Sequence, residues 1–120
     1  MKRTGVVLGL ILVCLLTANV FAGGSGETAK TPIKIGMYAD LSAGSAQWGT
    51  DCEKGGKLMV KEINAKGGIL GRPVELIVYD SQVSPTEGVR AYTRLAQVDK
   101  VCVVNGALQS NVALAVQPVS

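Results

Sequence analysis

The chain has 120 residues, 48% of them apolar, with a formal charge of +3 and no histidine. That length holds one small core, and the missing histidine excludes histidine-dependent nucleophilic or acid–base catalysis and, with no Cys-x-x-Cys, argues against a zinc site. Without Lys2 and Arg3, ten basic residues face nine acidic ones with no clustered basic stripe, so a nucleic-acid partner is not expected.

The N-terminus is charged ("MKRT") and runs into the apolar "GVVLGLILVCLLTANVFA". Val20 and Ala22 suit signal-peptidase cleavage, so residues 1–22 read as a secretory signal and residues 23–31 as a flexible tether. A retained anchor is the alternative, but the run is only marginally long enough to span a bilayer, and Thr17 and Asn19 weaken its end. A lipoprotein would need Cys14, whose neighbours Val13, Leu15 and Leu16 look like continued signal core. Removal of the signal leaves Cys52 and Cys102, which an oxidising compartment could pair. The spacing does not establish a bridge, and both are expected as buried thiols.

From residue 32 the pattern alternates. "IKIGMYADL" predicts a strand with Ile33, Ile35, Met37 and Ala39 on one face. A loop of small and polar residues follows, "SAGSAQWG", and then a helix from about Ala46 to Ala65. Its buried face is expected at Cys52, Gly56, Met59 and Ile63, and Gly55 and Gly56 suggest close packing on a sheet. Gly67 and Gly68 close the helix and Gly71-Arg72-Pro73 completes the turn. "VELIVYD" is apolar on both faces and predicts a buried parallel strand. Ser84, Pro85 and Glu87 predict a capped helix start with a closed capping box, followed by a buried stripe of Gly88, Ala91, Tyr92, Leu95 and Ala96. "KVCVVNG" predicts a third strand, and Ser110 the N-cap of a third helix. The order β-α-β-α-β-α implies an α/β fold with an open parallel sheet and helices on both faces.

Such sheets bind ligands outside the carboxyl ends of their strands. Here those ends are Asp40, Leu41 and Ser42 with the loop to Trp48, then residues 80–83, then residues 106–110. The third runs into a helix N-terminus, whose free amides together with the Ser110 hydroxyl suit a carboxylate. Trp48 offers a flat apolar surface on the facing loop. Equally, Ser110 could simply cap its helix and Trp48 simply pack on the surface. A nucleotide-binding enzyme would want Gly-x-Gly-x-x-Gly after the first strand, where this chain has "ADLSAGSAQWG".

"IKIGMYADLSAGSAQWGTDCEKGGKLMVKEINAKGGILGRPVELIVYDSQVSPTEGV" resembles the opening of the periplasmic branched-chain amino-acid binding proteins, the type I solute-binding components of ABC importers. "EINAKGGILGRPVEL" is close to a signature of that family, and "NGALQSNVALAV" is similar to its third strand exit. The resemblance covers residues 33–120 and implies no enzymatic activity and no cofactor. It implies a ligand held between two lobes, with Ser110 on the ligand carboxylate, Leu108 and Gln109 lining the same turn, and Trp48 covering the ligand. The implied partners are a small amino acid and a membrane permease, served by a monomeric protein outside the cytoplasm. Well-known members carry a disulfide at places held here by Val83 and Gln109, so that bridge is absent. A full member has a second lobe, so residues 32–120 are expected to be an incomplete N-terminal lobe and the chain a fragment. The same fold serves sensor domains of receptors and amide-responsive regulators, which is the alternative function.

Overall fold

The computed structural model describes residues 30–120; the signal reading of residues 1–22 and most of the tether lie outside the described residues. Three strands, β1 (Ile33–Ala39), β2 (Val74–Asp80) and β3 (Val103–Gly106), alternate with three helices, α1 (Ala46–Ala65), α2 (Pro85–Thr93) and α3 (Ser110–Val116). All strand pairs are parallel, in the order β2-β1-β3. Ile33 stands beside Val74 and Ala39 beside Asp80, while Ile35 pairs with Val103 and Tyr38 with Gly106. β1 is therefore central and β2 is an edge among the described residues. Only Val74 of β2 is buried, so the strand read as fully buried is half-covered. Its apolar residues on both faces tell of helices above and below, which an edge strand of a two-sided sheet also has.

The two faces of β1 follow the predicted alternation. α1 covers the face carrying Ile35, Met37 and Ala39, where a Cβ on Gly56 would lie 3.0 Å from Leu76 Cδ2, tighter than an ordinary carbon–carbon contact, so the small residue lets helix and sheet come close. Gly55 has nothing near it, so only the second glycine of the pair answers to close approach. On the other face Tyr38 joins Ala91, Leu95, Val112 and Val116 in the core, with α2 and α3 packed together over it. A Cβ on Gly88 would overlap Val112 Cγ1, so the small residue sets how closely α2 and α3 approach.

Local chemistry explains the boundaries. After α1 the chain closes as a Schellman-type turn: Gly68 N–H donates to Ile63 O (2.9 Å), with Gly67 and Gly68 both at positive φ. A tight reversal follows in which Ile69 and Arg72 exchange backbone bonds across Leu70 and Gly71, again at positive φ. Asn64 then ties helix to strand, its Nδ2 donating to Val74 O (2.8 Å) and its Oδ1 accepting from Val74 N (2.7 Å). The Ser84 hydroxyl caps α2 by accepting from Glu87 N, and Pro85 occupies the first turn. The capping box does not close: Ser84 N–H donates to Ser81 O (2.8 Å), and the Glu87 carboxylate pairs with Arg90 (2.7 Å). α2 runs on through a wider π-type turn, Arg94–Val98, and Lys100 at φ 53° delays β3 to Val103 rather than Lys100. Cys52 and Cys102 are free and both exposed, not buried as expected. Cys52 lies on the part of α1 that overhangs an open groove, and Cys102 precedes the uncovered edge strand β3.

Candidate functional site

Because the strands are parallel, the loops after β1, β2 and β3 leave the sheet at one edge. There β1 and β2 exchange carboxylate–hydroxyl bonds. Asp80 Oδ1 accepts from Leu41 N (2.9 Å) and Gln82 N (2.8 Å), and its Oδ2 accepts from Ser42 Oγ (2.6 Å). Asp40 Oδ1 accepts from Ser81 Oγ (2.6 Å). Asp40 is 1% exposed, and its Oδ2 has no hydrogen-bond partner among the described residues. Partial burial pushes the Asp80 carboxyl up, but the bonds from Ser42, Gln82 and Leu41 together hold it below the usual range. Asp80 is thus an ionised acceptor whose two oxygens are both occupied.

The loop held by this exchange continues as a 3₁₀ turn, Ala43–Ser45, and enters α1 at Ala46. Gly49 brings the first turn of α1 against the Asp40 backbone, where a Cβ would overlap the Asp40 carbonyl. That approach fixes Trp48 at the strand edge, 74% exposed. From β3 the chain turns at Ala107, φ 63°, and Gln109 stands in extended conformation before α3. Gln109 Nε2 donates to Ser45 Oγ (2.8 Å), bridging the first and third loops. Gly44, Ser45, Trp48, Leu108 and Gln109 line one shallow depression of about 460 Å³.

Of the four expected site residues, the structure brings Trp48, Leu108 and Gln109 together. Ser110 follows Gln109 in the chain and is exposed, but it does not line the depression. It is also the first helical residue rather than the N-cap; Gln109 holds the cap position, its carbonyl accepting from Val112 N and Ala113 N. The Ser110 hydroxyl therefore makes no cap bond. Ser45 and Gly44 were not foreseen: both sit in the loop "SAGSAQWG", where nothing local distinguishes one small residue from the next.

The depression offers a hydroxyl, a carboxamide, an indole and an aliphatic side chain, and its lining carries no titratable group. Such a set holds a small molecule by hydrogen bonds and apolar contact and transfers no proton. No group of three or more histidine, cysteine or acidic residues placed to hold a metal occurs among the described residues. A second concavity, an apolar groove of about 400 Å³, lies under α1 beside β3 and includes Ile35, Met37, Cys52, Met59 and Leu108.

Residues 32–120 match the family described as periplasmic binding protein. The chain belongs to that family. Among curated relatives it is 36% identical over 105 residues to a Leu/Ile/Val-binding protein of Rhizobium johnstonii, a match covering 87% of this chain and 28% of the relative. Among solved structures it is similar to the branched-chain amino acid transporter substrate binding protein LivJ from Streptococcus pneumoniae, in complex with isoleucine, at TM-score 0.69 and 36% identity, over 72% of this chain and 25% of that one. It is also similar to a fatty acid ABC transporter substrate-binding protein from Thermomonospora curvata, at TM-score 0.68 and 31% identity, over 73% of this chain and 22% of that one. The chain thus spans about a quarter of the length of the relatives it matches. Both solved structures are of transporter substrate-binding proteins, and the three-stranded parallel sheet of this chain, with its helices, has their α/β architecture.

Proposed function

We propose that the chain forms part of the first lobe of an extracytoplasmic solute-binding protein that delivers a branched-chain or related amino acid to an ABC importer. The observation that carries this reading is the meeting of Trp48, Leu108 and Gln109 around Ser45 at the carboxyl edge of the sheet, in a chain of this family. In this reading Trp48 covers the ligand, Leu108 and Gln109 line the turn beside it, and the Ser110 hydroxyl with its neighbouring amides meets the ligand carboxylate. The ligand ammonium, left without an acidic partner in the depression, is met by a second lobe of a longer polypeptide that closes over the cleft. The protein works as a monomer outside the cytoplasm, with a membrane permease as its partner.

Calorimetry tests this directly. The 120-residue chain and a longer polypeptide joining it to a second lobe are each titrated with leucine, isoleucine, valine and a long-chain fatty acid. The longer form is expected to bind a branched-chain amino acid, with Trp48→Ala and Ser110→Ala each weakening binding about tenfold or more. The 120-residue chain alone is expected to bind weakly or not at all. Micromolar binding by that chain would refute the two-lobe reading, and binding of the fatty acid alone would refute the amino-acid reading.

A further inference from the structure

Asp80 ends β2 and is the most heavily used side-chain acceptor at the candidate site. Its three bonds divide into two groups. One, from Gln82 N, is local and stabilises the turn after β2, where Gln82 and Val83 both adopt positive φ. The other two, from Leu41 N and Ser42 Oγ, reach 39 and 38 residues back along the chain to the loop after β1. That loop leads through the 3₁₀ turn to Ser45 and Trp48. An acceptor that only closed its own turn would need one oxygen; this one commits both, and the shortest bond goes to the other loop.

We propose that Asp80 is a positioning residue for the ligand wall: by gripping Leu41 and Ser42 it sets where Ser45 and Trp48 stand opposite Gln109. The proposal deepens the reading of this edge as a binding wall, and its consequence for affinity rests on that reading, but the grip itself does not. Bonds to an ionised carboxylate are stronger than neutral ones and hold their donors in one geometry. The loop they restrain is short and exposed at Ser42, Ala43 and Gly44, with no apolar burial of its own to fix it. Removal of the acceptor therefore frees the first loop before it loosens the sheet, whose strands are held by their own ladder.

The test compares Asp80→Ala, Asp80→Asn and Ser42→Ala by amide hydrogen exchange and by the fluorescence anisotropy decay of Trp48, the one tryptophan of the chain. No ligand is added, so the result does not depend on which solute is bound. Asp80→Ala is expected to speed exchange at Leu41 about tenfold or more, with Met37 in mid-strand unchanged, and to add a faster component to the Trp48 decay. Asp80→Asn is expected to restore most of both, because one carbonyl oxygen still accepts from Leu41 and Gln82 while the amide nitrogen can donate to the Ser42 hydroxyl. Ser42→Ala is expected to reproduce the Trp48 change with Gln82 exchange unaltered. It decides the matter should Asp80→Ala unfold the chain. Changes confined to Gln82, with Leu41 and Trp48 as in the unaltered protein, would reduce Asp80 to a local turn former and overturn the proposal.

Discussion

Gly88→Ala is a sharp test of how α2 and α3 are held together. In an ordinary helix the change stabilises by about 1 kcal/mol, since glycine is the poorer helix former. Here the added methyl would overlap Val112 Cγ1, with Val116 Cγ2 3.8 Å away. Carbon atoms rest about 3.5–4.0 Å apart, so one helix must move or Val112 must leave its rotamer. Val112 is 0% exposed and shares the core with Leu95, also 0% exposed, which leaves it no free volume to enter. Overpacking of this kind costs about 1–3 kcal/mol, and an immobile neighbour places it at the upper end, for a net loss of about 2 kcal/mol after the helix gain. Val112→Ala alone is expected to cost about 2–3 kcal/mol from lost burial and a cavity. In that background the obstruction is gone, so adding Gly88→Ala is expected to stabilise by about 1 kcal/mol. The same substitution thus changes sign, a coupling of about 3 kcal/mol in a double-mutant cycle. Urea unfolding followed by circular dichroism measures all four proteins. An equal cost of Gly88→Ala in both backgrounds would show that Gly88 and Val112 do not meet, and the stated packing of α2 on α3 would be wrong.

Gly49→Ala is expected to cost more, about 3 kcal/mol or above, because its methyl meets the Asp40 backbone, which has no rotamer to change; the urea midpoint falls and the emission of neighbouring Trp48 shifts. Asn64→Ala is expected to lose about 1–3 kcal/mol by leaving Val74 N–H and C=O unpaired, and Asn64→Asp more, since a carboxylate oxygen then faces Val74 O; both are read from urea midpoints. Asp80 has a depressed folded-state pKa, so its contribution is present in full above the ordinary aspartate value and is lost as pH falls through the lower folded value. The urea midpoint of the unaltered chain is expected to fall below about pH 4 with a component that Asp80→Asn lacks, and identical acid profiles for the two would refute the assignment.

What the sequence makes legible is what short-range chemistry decides. α1 begins at Ala46 and ends at Ala65 as its period and the glycines at 67 and 68 require, and Ser84-Pro85 starts α2 as written. The buried stripe of α2 is legible because its neighbours, Tyr38 and Val112, come from the same short chain. Errors collect where a distant partner decides. Cys52 and Met59 share the inward face of α1 yet are exposed, because that face overhangs a groove. Glu87 is a local exception: Ser84 N–H is taken by Ser81 O and the Glu87 carboxylate by Arg90, a competition that spacing alone does not resolve. The strand-end rule marks both the loop to Trp48 and residues 106–110, and Leu108 and Gln109 are singled out there by the family resemblance; Ser45 is not, because its partner Gln109 lies 64 residues away. Ser110 is one residue inside its helix rather than at the cap, which moves its hydroxyl from a backbone bond to solvent.

The depression has walls of different origin. Ser45, ending the 3₁₀ turn, and Trp48, in the first turn of α1, belong with the helix that covers the Met37 face of the sheet, whereas Leu108 and Gln109 lead into α3, which packs with α2 on the Tyr38 face. The bond from Gln109 to Ser45 therefore crosses the end of the central strand and joins the two layers. Each wall also rests on a close approach: Gly49 against Asp40 on the first face, beside the bonds that Asp80 makes to Leu41 and Ser42, and Gly88 against Val112 on the second. Under the proposed function, a small molecule seated between Trp48 and Gln109 would read the separation of these layers, set in part by two glycines outside the lining of the depression. Gly49→Ala and Gly88→Ala lie on opposite faces, yet both are expected to lengthen the span between Ser45 and Gln109 and to shift Trp48 emission in the folded protein. Substitution of Gly55, which has open space around it, is expected to leave that emission unchanged. An emission shift from Gly49→Ala alone would mean that α1 by itself builds the site and that α3 merely lies beside it.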